Sequence, residues 1–502
     1  MSNLYSNFQE KFPVDLTNEF LVTSDGRPVS YKELDETSAR IANCLIDLGG
    51  SPGDRITVQV EKSVESIFLY LACLRAGLVY HPLNTAYKSS ELSFFIENAE
   101  PSIIVCSNDA LNAIESVLPE EGIKALLTLE ADGSGTLMDK ASNLSSHSEI
   151  MKCIGSETAT LLYSSGTTGK PKGIMLSHDN LLHNGETLVN TWGFSSSDRL
   201  LHMLPIYHVH GLFVGLNTVL LSGASMTWCK SFNDEEAIEK LPDCSVMMGV
   251  PTYYTRLLAN NRFNAKCCSN TRLFISGSAP LLSETFINFQ EQTGHTILER
   301  YGMTETGMNT SNPLKGKRKA GTVGPSLPGV TVRIVDELGK EITDDETGDL
   351  QVKGPNVFSG YWRMPDKTAE DFTEDGFFNT GDKATIDSDD YVSIVGREKD
   401  MIITGGLNVY PKEVELVIDD ILGVTESAVV GVADSDFGEA VVAMIVSDGS
   451  ILNEEKIISI CKDQLANFKV PKQIYFIEDL PRNAMGKIQK NLLRERFKTE
   501  SN

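Results

Sequence analysis

The chain has 502 residues, 41% of them hydrophobic, which is enough for substantial cores and for roughly two to four structural units. Its 44 basic residues face 69 acidic ones, and the net charge of −25 argues against non-specific binding to nucleic acid or to an anionic membrane. A local cluster of positive charge that faces a ligand is therefore functional.

Nine cysteines are scattered singly apart from the neighbours Cys267 and Cys268, to which the sequence assigns no role. There is no C-x-x-C and no Cys/His set at zinc spacing, a pattern of reduced thiols. The start, from Met1 to Asn7, lacks a basic n-region and an apolar h-region. The longest apolar stretch, 67–80, is broken by Arg75 and is too short to span a bilayer. The expectation is a soluble, cytoplasmic protein with no membrane and no nucleic-acid partner.

In chain order, Leu48-Gly49-Gly50-Ser51 reads as a helix-terminating turn before a strand at 55–60. A helix at 63–75 and strands at 102–106 and 159–163 follow. The next eleven residues, Tyr163-Ser164-Ser165-Gly166-Thr167-Thr168-Gly169-Lys170-Pro171-Lys172-Gly173, hold three glycines, four hydroxyls and two lysines. Glycine lets the backbone approach a ligand, and hydroxyls, N–H groups and ammoniums surround a polyphosphate well. The lysine follows G-x-x-G, so this is not a Walker A loop. With a capped helix at 177–192 beyond it, the segment predicts a strand–loop–helix phosphate cradle. Further on come a strand at 272–277, a helix at 280–293 ending at Gly294, and a strand at 296–298.

This alternation predicts an α/β fold: a large N-terminal domain, 1–397, of mainly parallel sheets covered by helices, with a β-rich subdomain at about 321–396. A small mobile α+β domain, 398–502, follows. It has helices at 412–418 and 454–465 and strands at 426–432, 441–446 and 473–476. Ligands on parallel sheets gather at the carboxyl ends of strands, where the 163–173 loop and the turn Ser276-Gly277-Ser278-Ala279-Pro280 both fall.

Other segments fit nucleotide chemistry. Glu305, in a loop after Arg300-Tyr301-Gly302-Met303-Thr304, is a natural Mg²⁺ ligand beside phosphates. Thr380-Gly381-Asp382 ends a strand with an acid that can accept from ribose hydroxyls, and Arg397 adds a donor. Lys487 stands in a terminal loop, Leu480 to Lys487. Each is weak alone; a single loop carboxylate is usually a solvated residue.

Taken in order over essentially the whole chain, these motifs resemble the adenylate-forming superfamily of acyl-CoA synthetases, peptide-synthetase adenylation domains and luciferases. The resemblance implies ATP and Mg²⁺ as cofactors, coenzyme A as co-substrate, and two steps. A carboxylate attacks the α-phosphate of ATP, and a thiol then attacks the acyl-adenylate. It implies that Ser164, Ser165, Gly166, Thr167, Thr168, Gly169, Lys170 and Lys172 cradle phosphates. Ser276, Gly277, Ser278, Ala279 and Pro280, with Tyr301, Gly302 and Met303, would flank adenine. Thr304 would contact the α-phosphate, Glu305 would hold Mg²⁺, and Asp382 and Arg397 would bind ribose. Lys487 would bridge the carboxylate and α-phosphate, where fixed positive charge favours the transition state. Lys399 matches the hinge, and Gly405, Gly406 and Leu407 the segment that faces the thiol channel after the domain swings.

Around Arg300, Arg256 and His208, three segments (205–211, 249–256, 298–305) resemble malonyl-CoA synthetases. By that resemblance His208 borders the acyl carboxylate, and His210 lies deeper or packs structurally. Two arginines at an acyl pocket suit a second carboxylate, because unpaired buried guanidiniums cost several kcal/mol in order of magnitude. The expectation is a malonate–CoA ligase, with methylmalonate a side substrate because one methyl discriminates by only ~1–3 kcal/mol. The alternatives are a ligase for another short acid, a stand-alone adenylation module loading a carrier protein, and a non-catalytic nucleotide-binding protein.

Overall fold

The computed structural model describes residues 3–163, 171–342, 346–404, 407–434, 437–449, 452–465, 467–483 and 486–500. Two large sheets carry the N-terminal part. The first has eight strands in the order Gly307–Ser311, Leu298–Met303, Leu273–Ser276, Val246–Gly249, Arg199–His202, Ser225–Trp228, Glu19–Thr23 and Pro28–Ser30. Neighbours are parallel except at the two outer pairs. The second has seven strands: Gly360–Tyr361, Gly173–Ser177, Thr158–Tyr163, Val79–Pro82, Arg55–Gln59, Ile103–Cys106 and Ala125–Thr128. Strands such as Val79–Pro82 and Ile103–Cys106 are buried along their whole length, so they read as continuous apolar runs rather than alternating ones.

The apolar stretch at 67–80 is a wholly buried helix, Val64–Arg75, running into the strand Val79–Pro82. A reciprocal capping box between Ser63 and Ser66 starts that helix. Arg75 at its end is buried and paired: its terminal nitrogens meet Asp35, the Tyr5 hydroxyl and the Ser148 carbonyl, the last at 3.0 Å, while Nε has no partner among the described residues. The largest core draws on both sheets and on the helices Val64–Arg75 and His178–Trp192. Segment His210–Asn217 is a buried π-helix.

An antiparallel sheet of Thr331–Val335, Gly348–Lys353, Phe378–Ile386 and Val392–Arg397 forms the β-rich part. The last part begins its own sheet at Ile402–Thr404, continues through Val424–Asp434 and Gly438–Ser447, and adds Gln473–Phe476. Helices Pro411–Asp419 and Glu454–Gln464 close a separate core around Val414, Ile418, Val429 and Ile457.

Four expectations are corrected. The phosphate loop joins two strands, not a strand and a helix: Tyr163 pairs with Gly173 in an antiparallel hairpin, and the helix His178–Trp192 starts only after Ser177. The strand expected at 296–298 runs later, Leu298–Met303, because Tyr301 to Met303 pair with Gly307 to Thr310. The helix expected from 280 starts at Ser283, since Leu282 is still extended, at φ −66° and ψ 142°. Asp382 lies inside the strand Phe378–Ile386, not at its end, registered against Arg397. Among the described residues no helix is long and apolar enough to cross a membrane.

Candidate active site

The flanks of the phosphate loop are firmly held, although Ser164, Ser165, Gly166, Thr167, Thr168, Gly169 and Lys170 lie outside the described residues. Tyr163 donates to Asn98 at 2.6 Å and packs edge-on against Phe95. On the far side, Lys172 donates to the Tyr361 hydroxyl at 3.1 Å and stands 4.2 Å above the Tyr361 ring centroid. Asp371 is 3.5 Å from its ammonium.

A second group forms around Asp382, which is 3% exposed. Its carboxylate accepts from the Tyr301 hydroxyl at 2.5 Å and from Arg397 Nε at 2.8 Å. Burial disfavours the Arg397 charge, but Asp382, Tyr301 and Glu305 outweigh it and hold Arg397 above its ordinary value. Burial raises the Tyr301 phenol well above its ordinary value, and Asp382 adds to the effect. Thr304 and Glu305 lie in the turn that follows Leu298–Met303. Burial pushes the Glu305 carboxyl up, while Arg397 and Lys172 pull it down, so both cations stand within electrostatic reach.

Lys487 reaches the same region from the last domain. Its loop is closed by Gly486, at φ 75°, and by Asn483, whose side chain accepts from the Lys487 N–H at 3.0 Å. Lys487 is exposed by area, yet its ammonium is crowded. That desolvation, with the Arg397 and Lys399 charges, pushes it down to about 8, Asp382 and Asp400 acting in the opposite sense. Burial and the Arg397 charge also lower Lys399, in the short turn Glu398–Asp400. Leu407 is 48% exposed; Gly405 and Gly406 lie outside the described residues.

The third group is the turn 276–280 and what packs on it. Arg300 is 3% exposed, and burial pushes it down to about 10, with Tyr254 and Glu299 resisting. Its guanidinium lies flat against Gly277, where a Cβ would stand 2.3 Å from Cζ. Ser278 shares a hydrogen bond with His210 Nδ1 at 3.1 Å. Burial, then the Arg300 charge, drive His210 well below its ordinary range, so its ring is neutral. Among the described residues, Arg300 Nε and Nη2, His210 Nε2 and Ser276 Oγ are buried without a hydrogen-bond partner. Orphaned polar atoms are rare in native interiors, and four converging on one turn mark a place for a ligand rich in acceptors. Beneath the turn, Glu299 accepts from the Leu281 N–H at 3.0 Å, and burial raises its carboxyl to about 8.

His208 is half-buried, with its ring 4.5 Å from that of Tyr207, and burial lowers it to about 4. Arg256 is the second arginine expected to meet the acid. It lies on Pro251–Ala259, where Tyr254 and Leu257 face inward and Arg256 is exposed, within electrostatic reach of Asp234. Of these two arginines, Arg300 is buried and Arg256 is exposed. Conversely, His210, Gly277 and Glu299 matter more to this pocket than their sequence context suggests.

The family model described as AMP-binding enzyme matches residues 9–362, and that of the AMP-binding enzyme C-terminal domain matches 413–487. A malonate–CoA ligase of Arabidopsis thaliana is 32% identical, the alignment covering 95% of this chain and 86% of the relative. ATP-bound MatB from Rhodopseudomonas palustris is 49% identical and superposes with a TM-score of 0.97 over 100% of both chains. Apo MatB from the same organism, at 48% identity and the same 100% coverage of both chains, gives 0.86. With its model matched across both the sheets of the N-terminal part and the lysine-bearing last domain, the chain belongs to the family of AMP-binding enzymes.

Proposed function

We propose that the chain ligates malonate to coenzyme A at the expense of ATP, through malonyl-adenylate, with release of AMP and pyrophosphate. The observation that carries this reading is Arg300. A buried guanidinium with two unpartnered nitrogens is costly unless it meets an anion, and a carboxylate takes two of its N–H groups at once. A fatty or aryl acid offers nothing to it. The Arabidopsis relative, named a malonate–CoA ligase, supports the same acid.

In this reading one carboxylate of malonate is gripped by Arg300, with neutral His210 and Ser278 beside it, and His208 borders the other. That second carboxylate attacks the α-phosphate, and the P–O bond to pyrophosphate breaks. Lys487 and Thr304 face the reacting oxygens, so positive charge sits where anion meets polyanion. Asp382 and Arg397 hold ribose, while Tyr301, Gly302, Met303 and the 276–280 turn flank adenine. The loop 164–172 grips the leaving pyrophosphate. Glu305, a buried carboxylate within electrostatic reach of Lys172 at the end of the phosphate loop, would hold Mg²⁺. That suits an ion bound mainly by phosphates, whose charge it neutralises when present.

The arrangement is read as the adenylating one, since Lys487 stands within electrostatic reach of Asp382 and the fit to ATP-bound MatB exceeds that to apo MatB. The sheet of the β-rich part ends at Arg397 and the next begins at Ile402, which supports a hinge at 398–401, around Lys399. Swinging there removes Lys487 and brings the segment at 405–407 to the site for attack by the thiol. A cytoplasmic location suits the nine free cysteines.

The test is acid-dependent ATP–pyrophosphate exchange over acetate, propionate, malonate, methylmalonate, succinate and octanoate. Malonate leads the panel, and Arg300→Ala abolishes that lead while ATP still binds. Acetate or octanoate outperforming malonate, or an Arg300→Ala enzyme with unchanged kcat/KM for malonate, would sink the assignment.

A further inference from the structure

Lys62 is a buried cation with no carboxylate in contact among the described residues, Glu236 acting on it only from a distance. It follows the strand Arg55–Gln59 of the seven-stranded sheet and reaches across to the carboxyl ends of Arg199–His202 and Ser225–Trp228 in the eight-stranded one. No carboxylate lies within 4.0 Å of its ammonium among the described residues. Its partners are His202 Nδ1 at 3.0 Å, the His202 carbonyl at 3.0 Å and the face of Trp228, 4.1 Å from the centroid. Burial lowers its ammonium to about 7, with Cys229 and Glu236 opposing. A lysine buried there without a carboxylate in contact is costly, and a methionine would bridge the sheets at less expense.

Its contacts determine the state of His202. Nε2 of His202 lies 2.9 Å from the Gly211 carbonyl, which can only accept, so Nε2 carries the proton. Nδ1 is then the acceptor, and Lys62 is its donor. The carbonyl so held belongs to the first turn of the π-helix His210–Asn217, and its neighbour in sequence is His210, the residue bonded to Ser278 beside Arg300. The π-helix is shaped to admit this contact. A Cβ on Gly215 would stand 3.0 Å from His202 Nε2, and one on Gly211 would stand 2.0 Å from the Pro205 carbonyl oxygen. Wide helical turns of this kind recur at functional sites.

We propose that Lys62 is a positioning residue for the acid pocket: by donating to His202 Nδ1 it fixes the tautomer that pins the Gly211 carbonyl, and so sets His210 against Ser278 and Arg300. The inference rests on the reading of Arg300 as the carboxylate grip. A plain cross-link between sheets would need neither the tautomer nor the link to His210.

The experiment compares Lys62→Met, His202→Leu and His202→Gln with the parent enzyme. Glutamine can accept from Lys62 through its oxygen and donate to Gly211 through its nitrogen, so it preserves the relay without the ring. Expected are a roughly three- to tenfold rise in KM for malonate in Lys62→Met and His202→Leu, the scale of one lost hydrogen bond. KM for ATP stays unchanged, parent-like behaviour returns in His202→Gln, and adding Lys62→Met to His202→Leu brings no further loss. Side-chain ¹⁵N spectra of labelled histidine should show the His210 resonances displaced in Lys62→Met. Equal changes in both KM values, failure of His202→Gln to rescue, or unmoved His210 resonances would overturn the relay. If Lys62→Met fails to fold, the His202 pair decides alone. Arg300→Ala is measured alongside: if it leaves malonate use intact, the functional reading falls; if only it is impaired, the relay alone falls.

Discussion

Gly277→Ala should mimic the loss of Arg300 without touching Arg300. The backbone tolerates alanine there, since Gly277 is not among the glycines with positive φ. The collision is with one group: the new methyl would stand 2.3 Å from Cζ, 2.4 Å from Nη1 and 2.7 Å from Nε of Arg300. Ordinary carbon–carbon contact begins near 3.5 Å, so the guanidinium must retreat by about 1 Å or more. A side-chain tip can do so without unfolding the protein, but a bidentate grip cannot survive the shift. Hydrogen bonds to a charged group are worth about 1.5–3 kcal/mol, which corresponds to roughly ten- to 150-fold in kcat/KM for malonate. The assay is malonate-dependent pyrophosphate exchange in a double-mutant cycle with Arg300→Ala. Because both changes act through one guanidinium, the double variant should be no worse than Arg300→Ala alone. Activity within twofold of the parent would refute the reasoning, and so would an equal further loss in the Arg300→Ala background.

Local signals were strong enough to read many elements correctly. The helix His178–Trp192 announces itself through Ser177 and Asn180 at one end and Gly193, in the left-handed region, at the other. The strand Gln473–Phe476 was legible because its residues are β-prone and bounded by turns. Features that depend on distant pairing were not. The strand Gly173–Ser177 exists because it lies between Thr158–Tyr163 and Gly360–Tyr361, nearly two hundred positions away, so the phosphate loop looked like the entry to a helix. The same holds at the acid pocket. His210, Gly277 and Arg300 come from three elements, and no local pattern announces that they meet. On the helix Pro251–Ala259, the phase set by buried Tyr254 and Leu257 decides which side faces solvent, and a nine-residue segment does not fix that phase locally.

Lys487→Ala should suppress malonyl-adenylate formation far more than thioester formation from supplied malonyl-adenylate, measured as separate half-reactions; equal losses would contradict the swinging lysine. Since its ammonium is pushed down to about 8, adenylation kcat/KM should fall as pH rises through that value, and a flat profile to pH 9 would count against it. Glu299 makes a prediction about stability. Its carboxyl is raised from 4.5 to about 8, first by burial, with the Leu281 N–H, Lys412 and Arg300 opposing. The folded state therefore binds the proton more tightly than the unfolded one, and stability falls as pH rises from about 4.5 to about 8, then levels off. Glu299→Gln keeps an acceptor for the Leu281 N–H and cannot ionise. Thermal melts of the two proteins should coincide near pH 4.5 and diverge by a few degrees towards pH 8, the variant being the more stable, as ~1–2 kcal/mol would give. Removing the neighbouring positive charge with Arg300→Ala deprives ionised Glu299 of one of its supports, so in that background the fall in stability should continue to higher pH before levelling off. Parallel melts across the range, or a fall that levels off at lower pH when Arg300 is removed, would mean that Glu299 is not the buried acid that titrates beneath the 276–280 turn.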